Sequence, residues 1–161
     1  MLHFKEGQVL DGGKLLFQLL RIVCGFVLAV IACGLFLAWG FFRAAHPDQD
    51  PVAFAAMAGS GLVGASVIGG TVLVPAAVLI AVAEAVRLQG FIFHVAAAGA
   101  IAFLVWTLGA GSGTTDWRPG SAVVLAAGFL AGAVYWLIAG RMSGGWHGVK
   151  DPAGKGRNRN A

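Results

Sequence analysis

Charged side chains are scarce in this sequence: Asp, Glu, Lys and Arg make up 11% of its 161 residues, whereas 58% are hydrophobic and the mean hydropathy is +0.83. Soluble domains average about 25% charged residues. A single soluble domain of this length would leave too much apolar surface in water, because small domains bury only part of their surface. The composition therefore predicts a protein of the lipid bilayer.

Cysteine and histidine are also rare, with two and four copies. Cys24 and Cys33 are nine residues apart in one apolar segment. A helix would point them to opposite sides, so an intrahelical disulfide is excluded. The Cys and His residues do not have the spacing of a zinc site. Only His94 lies inside an apolar segment, so no two histidines lie at the same depth in the membrane, where they could bind a haem from both sides. With no serine nucleophile motif or paired membrane carboxylates either, we expect no metal, no cofactor and no enzymatic activity.

The apolar blocks are long enough to cross a bilayer, which takes about 20 helical residues. The first block, 22–42, exceeds the roughly 15 apolar residues of a secretory signal, so we predict a retained helix. The second block, 52–86, would be about 52 Å long as one straight helix, which is too long for one upright crossing and barely enough for two.

The distribution of Lys and Arg decides the number of spans. Four spans place both termini on one side with nine of the 11 basic residues; the other side holds Arg43 and Arg118. If the second block formed two spans, about four basic residues would lie on the cytoplasmic side and seven on the outer side, contrary to the positive-inside rule. We therefore predict an all-α, integral membrane four-helix bundle with spans at about 15–42, 62–88, 91–108 and 121–140 and both termini cytoplasmic.

The surplus residues of the second block predict a short interfacial helix. Asp50 and Pro51 form a favourable helix start, and Gly59, Ser60 and Gly61 would weaken the helix two turns later. We expect a helix over 51–58, a bend and then the crossing, with one strongly tilted continuous helix as the alternative. Ser121 is predicted to cap the fourth helix. Residues 1–147 form one transmembrane domain, and 148–161 form a flexible basic tail.

Small residues recur every fourth position in two spans. In lipid, such positions let helix backbones approach closely, and van der Waals contact then drives association. These faces favour packing within one bundle, with a homo-oligomer contact as the alternative. Pro75 lies inside the second span and predicts a kink, either static or a hinge. The predicted packing positions are Gly61, Ala65, Gly69, Gly128 and Gly132.

Four ionisable residues gather near the inner edge of the predicted membrane: Arg21, Glu84, Arg87 and His94. Glu84 and Arg87 are three residues apart on one helix and can pair. Anchoring at the interface explains such residues, since long side chains there reach water. A functional polar site is the alternative, because a proton-coupled protein uses a carboxylate and a histidine in such a position.

The stretch 131–146, AGAVYWLIAGRMSGGW, resembles the close of small Ala- and Gly-rich bacterial inner-membrane proteins, which implies that location and carries over no catalytic residue. The basic tail predicts contact with anionic lipid headgroups and, lacking interleaved aromatics, no nucleic acid. We expect a non-enzymatic accessory, scaffolding or assembly subunit that associates with other membrane helices, as a homo-oligomer or in a larger complex. The alternative is a small oligomeric transporter or channel using Glu84 and His94.

Overall fold

Four α-helices make up most of the part of the chain that the structure, a computed structural model, describes: residues 12–43, 46–109 and 120–142. The four helices are α1 (Gly12–Phe42), α2 (Pro51–Val86), α3 (Phe91–Leu108) and α4 (Ser121–Ile138), and a 3-10 turn follows at Gly140–Met142. Each helix is long and apolar enough to cross a membrane, and these described ranges contain no strand. The predicted all-helical, multi-pass membrane fold is confirmed. The predicted tail at 148–161 lies outside the described residues.

The separate interfacial helix expected at 51–58 is absent, because α2 runs without interruption from Pro51 to Val86. Of the three weak helix formers at this point, only Gly61 packs against another helix, whereas Gly59 and Ser60 are exposed. The Ser60 hydroxyl donates to the Ala56 carbonyl at 2.7 Å, and Gly61 is buried against α1. The continuous alternative is therefore the correct one, and α2 also continues through Pro75. A hinge at Pro75 stays a prediction.

Two helix starts were predicted from the sequence, and one of them is wrong. Asp50 caps α2 as expected: its Oδ1 accepts from the Val52 backbone NH at 2.9 Å, with Pro51 in the first turn. At α4 the cap is Gly120, whose φ of 94° suits glycine. Ser121 is instead the first helical residue, and its Oγ accepts from the Trp106 indole NH at 3.1 Å, so the hydroxyl joins α4 to α3.

The helices pack in the spatial order α2, α1, α4, α3. α1 packs closely against α2 and α4, and α4 packs closely against α3, whereas α2 and α3 touch only slightly. We call the end of the bundle that carries Arg21, Arg87 and Arg141 the basic end. There the connection 87–90 joins α2 to α3, so their ends are held together.

Candidate functional site

Small residues form the close contacts between neighbouring helices. A Cβ added to Gly61 would lie 2.9 Å from Leu35 Cδ2 on α1, and one added to Gly69 would lie 3.2 Å from Val30 Cγ1. Ala65, between them, is buried. On α4, a Cβ at Gly128 would lie 2.6 Å from Ala102 Cβ. A Cβ at Gly132 would lie 2.6 Å from the His94 carbonyl oxygen. All five predicted packing positions therefore contact helices of the same chain or lie between residues that do.

All four helices contribute to what we call the polar cluster, which comprises Gln18 and Arg21 of α1, Glu84 of α2, His94 of α3, and Tyr135 and the Ile138 carbonyl of α4. Gln18 on α1 donates from Nε2 to Glu84 Oε1 on α2 at 3.0 Å. Arg21, one turn further along α1, donates from Nε to the Ile138 carbonyl at the end of α4. A cation at a helix C-terminus satisfies carbonyls that lack an intrahelical partner and interacts favourably with the helix dipole. Through these two bonds, α1 joins the ends of α2 and α4.

Arg87 ends α2 in the left-handed conformation, with φ 59° and ψ 41°. The Leu88 NH donates to the Ala83 carbonyl at 2.8 Å and the Arg87 NH to the Glu84 carbonyl at 3.4 Å. This is a Schellman helix end with arginine where glycine is usual. The exposed Arg87 side chain lies at the turn into α3. Arg87 therefore helps to end α2 through its backbone conformation, in addition to carrying a positive charge at the basic end.

His94 is almost completely enclosed, with 3% of its surface exposed. Its Nδ1 lies 2.9 Å from the Gly90 carbonyl oxygen. A carbonyl only accepts, so Nδ1 carries the proton in this bond. Nε2 is buried without a hydrogen-bond partner among the described residues, near Gly140, where a Cβ would lie 3.1 Å away. The ring stacks on Tyr135 of α4 with centroids 5.8 Å apart.

An apolar cavity of about 470 Å³ lies between the helices, next to the polar cluster. Its wall extends from His94 and Tyr135 to Trp106 and Gly109, and every helix contributes to it. Thr71 brings a hydroxyl to the wall, but this group donates to the Ile68 carbonyl of its own helix at 2.8 Å. The slight contact between α2 and α3 leaves the cavity only partly enclosed.

A second face of α2 carries small residues that no helix of the described chain covers. Gly59, Ser66, Gly70 and Ala77 are exposed and lie on one side of α2, because their spacings of seven, four and seven residues are close to whole helical turns. A Cβ at Gly59 or Gly70 would meet no atom within 4 Å. This side, which we call the outer face of α2, is turned well away from the Gly61 side that packs on α1.

Sequence reasoning identified Arg21, Glu84 and His94, but it missed their partners. Gln18, Tyr135 and the Ile138 carbonyl were not predicted to belong to the cluster. One signal was available: Gln18 and Arg21 are three residues apart, so they share a face of α1. In the described part of the chain, no group of three or more His, Cys, Asp and Glu is placed to hold a metal ion.

Comparison with protein-family models, with curated proteins and with solved structures finds no significant match to this chain.

Proposed function

We propose that this protein is a non-enzymatic accessory or assembly subunit of the bacterial inner membrane that binds another membrane helix on the outer face of α2. The observation that carries the proposal is the second set of small residues on α2. Gly61 and Gly69 are matched by α1, whereas Gly59, Ser66 and Gly70 have no counterpart in the described bundle.

The chemistry of membrane association supports this choice. Lipid is as apolar as the helix surface, so burial of apolar side chains does not drive helices together, and close backbone approach does. Ser66 and Gly70 are four residues apart, as in the small-xxx-small pattern of such contacts. Glycine has a poor helix propensity and offers lipid no side chain to pack. A glycine that faces only lipid therefore weakens α2 without compensation, whereas a partner helix would compensate for it.

The transporter alternative has weaker support. It needs a polar route, but most of the cavity wall beyond His94 is apolar. Glu84 accepts from Gln18, and the buried His94 ring is held by Gly90 and Tyr135. These contacts favour a structural role, in which the side chains link the helices, over a site that gains and loses protons.

Affinity purification in mild detergent tests the proposal. Gly70→Leu fills the outer face of α2 and should eliminate the co-purifying membrane protein or the second copy of the chain. Gly64→Leu is the matched control: it makes the same change on the same helix, has no atom within 4 Å of the new Cβ, and points about 120° away from position 70. The proposal fails if both variants retain the wild-type partners or if the folded wild type has none.

A further inference from the structure

The apolar cavity is a long slot. Along α3 its wall extends from His94 to Gly109, which is about 22 Å at the helical rise. Spread over that length, the volume of about 470 Å³ gives a mean cross-section on the order of 20 Å² for the centre of a water molecule. Adding the water radius of about 1.4 Å on each side makes the slot roughly 8 Å wide. A helix with its side chains is about 10–12 Å wide, so the slot is too narrow for one. An extended hydrocarbon chain has a suitable width.

The surroundings of the slot determine what fills it. Apolar cavities exclude water, and an empty space costs the wall its dispersion contacts. The slot is only partly enclosed, and α2 and α3 are the neighbouring helices with the slightest contact, so bilayer hydrocarbon reaches the slot between these two helices. At the basic end the wall of the slot reaches His94 and Tyr135, and the connection 87–90 joins α2 to α3. An occupant therefore enters from the side, between the two helices.

We propose that the slot binds one acyl chain of a phospholipid from the surrounding bilayer. The chain lies along α3 between the levels of Trp106 and His94 and separates α2 from α3. It completes the apolar contacts that these two helices do not make with each other. This binding site is distinct from the outer face of α2 and does not depend on the proposed association there.

The test uses the full-length protein in vesicles of phosphatidylethanolamine and phosphatidylglycerol, with a trace of a phosphatidylcholine that carries a photoactivatable diazirine on its acyl chain. The protein is extracted, washed with mild detergent to remove loosely held lipid, and irradiated. Peptide mass spectrometry should find the label on wall residues such as Val72, Ile101 and Val105. Exposed residues such as Val74 and Leu104 should carry no label, because the wash has removed the lipid around them before irradiation.

Two adjacent alanines provide matched variants. Ala76 lies in the wall of the slot, whereas Ala77 is exposed and points about 100° away around the helix. Ala76→Phe should fill the slot and eliminate the retained label, and Ala77→Phe should keep it. If Ala76→Phe does not fold, Ala131→Phe in the α4 wall with exposed Ala126→Phe repeats the comparison. Label that is absent from the wild-type wall, or equally abundant on wall and exposed residues, would overturn the proposal.

Discussion

The contact between α3 and α4 leaves no room for a methyl group at Gly132. A Cβ there would lie 2.6 Å from the His94 carbonyl oxygen, 2.8 Å from Val95 Cα and 2.9 Å from Ala98 Cβ. Carbon atoms pack best at about 3.5–4.0 Å, so Gly132→Ala must push α3 away by roughly 1 Å. Two of these three atoms belong to the backbone, so no side-chain rotation can relieve the overlap.

Gly64→Ala is the matched control, because position 64 is also inside a membrane helix, lies away from the outer face of α2 and has no atom within 4 Å of the added Cβ. Both variants gain the same helix propensity, about 1 kcal/mol, which cancels between them. The remaining difference is the overpacking at Gly132, typically 1–3 kcal/mol. We therefore expect Gly132→Ala to be less stable than Gly64→Ala by about that amount.

The assay is unfolding of the purified protein in mixed micelles by increasing amounts of a denaturing detergent, followed by helix content and tryptophan fluorescence. The midpoint for Gly132→Ala should fall clearly below that for Gly64→Ala. Equal midpoints for the two variants would mean that α3 and α4 are not in close backbone contact, and the packing order of the bundle would be wrong.

Three further predictions concern the basic end and the orientation of the chain. Glu84→Gln keeps an oxygen that can accept from Gln18, so partner binding should survive with a loss of about 1 kcal/mol in stability; a folded variant that abolishes a pH-dependent vesicle flux would instead support the transporter alternative. Arg87→Gly should be more stable in the same unfolding assay than Arg87→Ala by about 1 kcal/mol, because both remove the side chain and only alanine retains a Cβ at φ 59°; equal stability would contradict a left-handed helix end. Reporter fusions after residues 43 and 118 should register outside and those after 87 and 150 inside; an outside signal after 150 would refute the predicted orientation.

The parts of the fold that depend on composition were predictable from the sequence. Spans of about 20 apolar residues predicted α1, α3 and α4, since the bilayer sets their length. The continuity of α2 was not predictable from local propensity, because Gly61 is stabilised by contact with Leu35 of α1. The same limitation applies to Ser121, whose hydroxyl binds Trp106 instead of capping its own helix. Local reasoning fails where a neighbouring helix supplies the partner.

The candidate site was predictable only in part. Rare ionisable residues in an apolar chain identified Arg21, Glu84 and His94, since such residues are costly near lipid. The partners Gln18 and Ile138 come from other helices, so they depend on the packing order. The slot depends on the separation of α2 from α3, and no sequence pattern records that separation.

The outer face of α2 can be tested directly in native membranes. A photo-reactive phenylalanine analogue at position 70 would lie against whatever contacts that face, while the same residue at the exposed Leu104 of α3 reports general lipid surroundings. The proposed function predicts a discrete protein adduct from position 70 that is absent from position 104. A wild-type-like protein that gives no adduct at position 70, or the same adducts from both positions, would contradict it.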